Sequence, residues 1–245
     1  MGYAGDDSVK QTANSLPSSH TEDSFFKSNI LKQLDLDKTT IDNIDWVLMA
    51  EAYLPYNPNV SVIIVPICKE KEDAYCIEYD AYILLVDHRI NQITHKLYKK
   101  DLWKSDATDL RSLTIDFSLS AINKKHDGFG VIAYYVNTSA VCTGVEETIS
   151  LFVPKGKKII EVLDKFNIST DAYPGRWGNE DCSFFSRTST LNVTDTKTKG
   201  FYDIDVVTEE KEYIYQATND EEPNVKKSTT THQILKYKNK KYAVE

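Results

Sequence analysis

No stretch of this sequence stays apolar for the ~18–20 residues that a helix needs to cross a bilayer. The longest candidate, VSVIIVPI from Val60 to Ile67, is strand-sized. The opening MGYAGDDSVKQTANSLPSSHTED also lacks the apolar core of a signal peptide. Met1-Gly2 ahead of such a linker-like run reads as a start from which an export signal has been trimmed. Residues 1–20, rich in Ser, Asn, Asp and Thr, are expected to be a disordered tether. The rest, 21–245, reads as one mainly β domain, with two β subdomains dividing near 105–112 as the alternative.

Recognisable chemistry is missing too. The cysteines form no C-x-x-C, and His20, His88, His95, His126 and His232 are scattered without zinc-ligand spacing. There is no G-x-S-x-G elbow, H-E-x-x-H, phosphate-loop or dinucleotide glycine motif. HDGFG at His126–Gly130 is turn chemistry, and Asp87-His88 is expected in an exposed hairpin turn. Glu146-Glu147 and Asp220-Glu221-Glu222 are paired carboxylates with no partner in the sequence. LNVTDTKTKGFYDIDV, Leu191 to Val206, comes nearest to a calcium loop, with Asp195 and Gly200 five residues apart as such a loop requires. Lys197 and Lys199 stand where its ligands belong, and cations there repel a divalent ion. The stretch therefore reads as a hairpin whose Asp203 and Asp205 face solvent. Neither an enzyme nor any cofactor or metal is expected.

What is present points to a packed β protein. Hydrophobic residues make up 41% of the chain, enough for a core, and fifteen tyrosines suit half-buried strands. Lys and Arg number 29 against 37 Asp and Glu, a net charge of −8. That balance disfavours nucleic acid and anionic lipid, and favours a cationic partner.

TEDSFFKSNILKQLDLD places Phe26, Ile30 and Leu34 on one helical stripe, with Thr21 or Ser24 as cap. From Ile44 the period becomes two. IDWVLMAEAYL, VSVIIVPI, AYCIEYDAYILLVDH, QITHKLYK, RSLTIDFSLSAI, FGVIAYYVNT and EETISLFVP read as strands. KGKKIIEVLDKFNI reads as a helix, because Ile159, Val162 or Leu163, and Phe166 follow its period. A loop over 169–181 precedes CSFFSRTSTLNV, GFYDIDVV, KEYIYQAT and a final hairpin, ILKY with KYAV. About eleven strands and two helices predict a mainly β fold. Antiparallel sheets in a sandwich or open barrel, with one or two short peripheral helices, are the first choice and α+β the second.

The cysteines suggest staples. Cys68 and Cys76 flank the hairpin loop KEKEDAY, and Cys142 with Cys182 would close a long loop. On the chain-entropy model the two closures contribute roughly 2.5 and roughly 4 kcal/mol. Two bridges imply an oxidising compartment. The second would bound DAYPGRWGNEDC, which offers Tyr173, Arg176 and Trp177, residue types that dominate binding hot spots. Tyr56, in the rigid turn Pro55-Tyr56-Asn57-Pro58, is a second candidate contact.

ETISLFVPKGKKIIEVLDKF, RTSTLNV with GFYDIDVV, and ILKYKNKKYAVE resemble, over about 111–245, small exported proteins of Gram-negative bacteria. Most of these are uncharacterised periplasmic proteins, and some are similar to periplasmic lysozyme inhibitors or effector-immunity proteins. Such inhibitors insert a short Ser/Gly/Tyr loop into the enzyme, and SAVCTG at Ser139–Gly144 is a loose echo of it. The resemblance implies a periplasmic or secreted protein-binding module that neutralises a cationic hydrolase or toxin by occlusion. A small-molecule or polysaccharide-binding envelope protein is the alternative. A hydrolase whose residues meet only in three dimensions is the second.

Overall fold

The computed structural model describes residues 22–72, 75–105, 108–123, 127–138, 142–174, 182–215 and 224–245. Helix α1 (Glu22–Leu34) buries Ile30 and Leu34, as their four-residue spacing predicts. Ser24 lies inside it, while Thr21 and the side chain of Phe26 lie outside the described residues. Gln33 ties α1 to the sheet, donating to the Asn91 carbonyl at 2.8 Å and accepting from the Ile93 amide at 2.9 Å. A short α2 (Lys38–Asp42) follows, capped by Asp37, which accepts from the Thr40 amide.

Twelve strands make up most of the remaining described chain, so the mainly β expectation holds. β1 (Ala50–Leu54), β2 (Asn57–Glu72), β3 (Tyr75–Asp87) and β4 (Gln92–Lys104) form one antiparallel meander. A second runs through β5 (Asp109–Asp116), β6 (Phe129–Thr138), β7 (Cys142–Lys155), β8 (Lys158–Pro174), β9 (Cys182–Thr198), β10 (Phe201–Tyr215), β11 (Asn224–Lys238) and β12 (Lys241–Val244). The meanders join at one parallel contact, Lys96 of β4 beside Lys158 of β8. The sheet curls until Cα atoms of β1 come within 8 Å of β5, although no ladder connects the two strands. The result is an open barrel.

Three apolar layers hold it. The first fills the barrel with Val62, Ile64, Ile83, Trp103, Val131 and Phe152 among others. The second lies where β10 to β12 pack on β7 and β8, around Leu151, Val162, Ile204 and Leu235. The third puts Ile30 and Leu34 on Ile63, Val65, Leu84 and Val86. β2 therefore has both faces covered, which is why VSVIIVPI is continuously apolar instead of alternating.

The stretch predicted as a second helix is β8. Gly156, at φ 63°, begins a two-residue turn that returns the chain from Lys155 to Lys158. Phe152 then faces Glu161 while Leu151 faces Leu163, so Val162 is an extra residue. Lys165, at φ 44°, marks another irregularity, its amide donating to the Ser150 hydroxyl at 3.0 Å. Each bulge resets the in–out alternation of the strand. Ile160, Val162, Leu163 and Phe166 thus all reach the second core, and their uneven spacing imitates a helical period.

Two other boundaries move. IDWVLMAEAYL is strand only from Ala50, because the Asp45 carboxylate accepts the Val47 and Leu48 amides at 3.1 and 3.2 Å and turns the chain. GFYDIDVV and KEYIY are one strand, β10, and the loop expected from Ser169 is strand as far as Pro174.

Cys68 and Cys76 form the expected disulfide, with Cα atoms 5.7 Å apart at the end of the β2–β3 hairpin. Such a bridge is consistent with an oxidising compartment. The side chains of Cys142 and Cys182, the other expected pair, lie outside the described residues. Replacing both Cys68 and Cys76 by Ala is expected to lower unfolding free energy by about 2.5 kcal/mol, read by urea titration. A loss below about 0.5 kcal/mol would show that the pairing of β2 with β3 already closes this loop.

Candidate functional site

Beyond the second core, β6 to β11 continue as a six-stranded outer sheet. One cross-strand row runs across all of it. Tyr135 stands opposite Glu146, Glu146 opposite Thr170, Thr170 opposite Arg187, Arg187 opposite Glu210, and Glu210 opposite Thr229. Directly opposed residues share a face, so six side chains line up at about 4.8 Å intervals. Two residues further out, Asn137, Gly144, Ala172, Phe185, Glu212 and Lys227 form a second row on the same face.

The rows are tightly built on one side and open on the other. A Cβ at Gly144 would sit 2.5 Å from the Asp171 carbonyl oxygen, so only glycine lets β7 and β8 approach there. Two strands away in the same row, Phe185 is 48% exposed. Tyr135 is buried, and burial followed by the nearby Glu146 pushes its hydroxyl pKa up. Asn167 donates its amide to Glu146 Oε1 at 3.2 Å and to Thr170 Oγ1 at 2.7 Å. A buried hydroxyl pair, Ser189 with Thr208 at 2.9 Å, lies on the same face between this row and the second core.

Two polar atoms flanking Thr170 have no hydrogen-bond partner among the described residues. Asn167 Oδ1 is a buried acceptor and Arg187 Nε a buried donor, the latter 3.6 Å from Glu210 Oε1. A buried polar group left without a partner costs about 1–3 kcal/mol, which Arg187 offsets in part through its ion pair with Glu210. On this face the two rows carry Glu146, Glu210 and Glu212 against Arg187 and Lys227, a net of −1. The face is therefore mildly acidic, with an aromatic ring at its centre.

No family model, curated protein or solved structure matches this chain. The site must be read from its own geometry.

The residues expected from sequence fall around it unevenly. Arg176 and Trp177 lie outside the described residues, as does the side chain of Tyr173. The strands that flank them, β8 ending at Pro174 and β9 starting at Cys182, end at the outer edge of this sheet. Tyr56 is elsewhere, half-exposed in the β1–β2 turn, its hydroxyl pushed up to about 12 by burial and by Asp127. Glu146, unpartnered in sequence, gains Asn167, whereas Thr170, Phe185, Arg187 and Glu210 were not foreseen.

Other polar groupings lie away from this face. Asp87-His88 is not a free turn. Asp87 is buried, and the Arg89 guanidinium at 2.6 Å holds its carboxyl below the usual range. His88 Nε2 lies 2.8 Å from Ser61 Oγ and 3.5 Å from Glu51 Oε1. Both partners meet the same ring nitrogen, so the trio lacks the relay in which a carboxylate orients the opposite nitrogen. Ser61 is 0% exposed, out of reach of a substrate.

The Leu191–Val206 hairpin is also drier than expected. Thr194 to Thr196 bulge opposite Asp203 and cover it, leaving it 3% exposed with Oδ2 accepting from Thr196 Oγ1 at 3.0 Å. The bulge supplies hydroxyls where the wet-face reading expected solvent. Near the disulfide an open cleft of about 160 Å³ is lined by Glu70, Glu72, Ile77, Glu78, Lys104 and Ser105. Its lining includes no tyrosine, so it does not provide the aromatic cavity that a small-molecule reading calls for.

Proposed function

We propose that this chain is an exported binding module that captures a cationic protein on its outer sheet and blocks it by occlusion. The observation that supports this reading is the partly exposed end of the row, Thr170–Arg187–Glu210–Thr229, with the half-exposed Phe185 in the neighbouring row on the same face. Aromatic and Arg anchors dominate binding energy, while the surrounding carboxylates steer a basic partner. A surface of this kind acts by covering, so it needs no reacting groups of its own. The partner class follows from charge and from the resemblance to inhibitors and immunity proteins: a cationic, envelope-directed hydrolase or toxin. The Tyr173–Trp177 segment, joined to the same edge of the sheet, would add to the anchor.

Surface-immobilised protein tested against a panel of cationic cell-wall hydrolases, lysozyme included, decides the matter. Binding is expected at micromolar concentration or tighter, with Phe185→Ala and Arg187→Ala each weakening it about tenfold without changing the circular dichroism spectrum. No binder at micromolar concentration with the disulfide intact, or a binder indifferent to both substitutions, would remove this reading.

A further inference from the structure

β11 is an edge strand over most of its length. β10 pairs with it from Asn224 to Leu235, but β12 covers only Leu235 to Lys238. From Asn224 to Gln233 its other side has no ladder partner among the described residues, while the Glu245 amide donates to the Ile234 carbonyl at 3.2 Å. Exposed edges invite pairing with another strand, and proteins usually guard them with lysine, proline or a bulge. Lys226 is the extra residue of such a bulge, since Glu212 faces Lys227 while Tyr213 faces Val225. Ser228 to Gln233, the sequence STTTHQ, carries none of these guards and includes three consecutive β-branched threonines.

We propose that this protein pairs with a second copy of itself through Lys227–Gln233, antiparallel about a two-fold axis at Thr230. The register follows from what bounds the free stretch. The Lys226 bulge interrupts a regular ladder at one end, and β12 occupies the edge from Leu235 at the other. The midpoint of 227–233 is Thr230. In that register Thr230 meets its counterpart, Thr229 meets Thr231, Ser228 meets His232 and Lys227 meets Gln233. Threonine pairs are favourable neighbours across strands, and no like charges are opposed. Centring on Lys227 would oppose two lysines, and centring on Thr229 would set Lys226 against His232. The contact is isologous and uses each edge once, so it closes as a dimer instead of growing into a fibre. It would also join the two outer sheets into one continuous surface. The dimer does not depend on which partner that surface binds.

Light scattering coupled to size exclusion, run over a concentration series, tests this directly. The unaltered protein is expected to reach a dimer mass at high micromolar concentration. Thr230→Lys opposes two lysines at the axis and should leave a monomer, while Glu209, directly opposite on β10, accommodates the new cation within each chain. Thr190→Lys, on the exposed face of β9, should remain dimeric. A monomer at every concentration, or a dimer that persists in Thr230→Lys with an unchanged melting curve, overturns the proposal.

Discussion

Phe152→Ala is expected to destabilise the fold by about 4 kcal/mol, the largest effect of any single truncation considered. Phe152 is fully buried on β7, opposite Phe129 and stacked on it with ring centroids 5.7 Å apart. It belongs to the barrel core, whose lining comes from both meanders: Val62, Ile83 and Trp103 from the first, Val131 and Ile159 from the second. Removing the ring leaves a void at the junction between them. The neighbouring strands are tied by ladders on either side and collapse poorly into such a space. Urea unfolding followed by fluorescence should show a lower midpoint with an unchanged slope if the cores melt together. Trp103, buried in the same core, is the natural reporter. A shift smaller than about 1 kcal/mol would mean that the two meanders are held by something other than this core. Leu151→Ala, one residue away, faces the second core and separates the cases. Coincident losses by fluorescence and by circular dichroism mark one cooperative unit, and divergent curves mark two.

Alternation along a strand marks its buried face only where the strand runs without a bulge. Ile30 and Leu34 of the α1 stripe lie where their spacing placed them. Period reading fails at bulges, because one inserted residue exchanges the faces of everything after it. That is the whole history of β8, where Val162 and Lys165 turn a strand into an apparent helix. It is also the history of Asp203, which two-residue alternation sends to solvent and a threonine bulge buries. The candidate site was hidden for a different reason. Tyr135, Thr170, Arg187 and Glu210 come from four different strands, and only the register of the ladders places them in one line. Register is a property of paired strands, so no local pattern in any one of them marks the row. Phe185 was visible as a strand residue, but its exposure depends on lying past the end of the second core.

Glu161→Gln is expected to cost about 2–3 kcal/mol, because this carboxylate is the electrostatic joint between the meanders. The one ladder contact between them opposes two cations, Lys96 and Lys158. Nearby, Glu161 on β8 is 8% exposed and receives Lys99 from β4 on one oxygen and Lys241 from β12 on the other, the latter at 2.8 Å. Asp164 completes the square at 3.2 Å from Lys99 and 3.1 Å from Lys241. Glutamine keeps the shape of the side chain but leaves two ammonium groups facing one carboxylate. Breaking a buried pair costs about 3–5 kcal/mol, and the partial exposure of both lysines lowers that figure. The pH dependence has a defined sign. Burial alone would raise the Asp164 carboxyl, but Lys241 and Lys99 together hold it below its ordinary value. Its contribution is therefore present above about pH 4, the unfolded range, and is lost as pH falls through the lower folded value. Glu161→Gln should lower stability across neutral pH while keeping that acid limb, since Asp164 and its lysines remain. Adding Lys99→Met removes the stranded cation and should recover part of the loss, giving a coupling of about 1 kcal/mol or more between the two sites. Equal urea midpoints for Glu161→Gln and the unaltered protein at pH 7 would mean that β4, β8 and β12 are joined by packing alone.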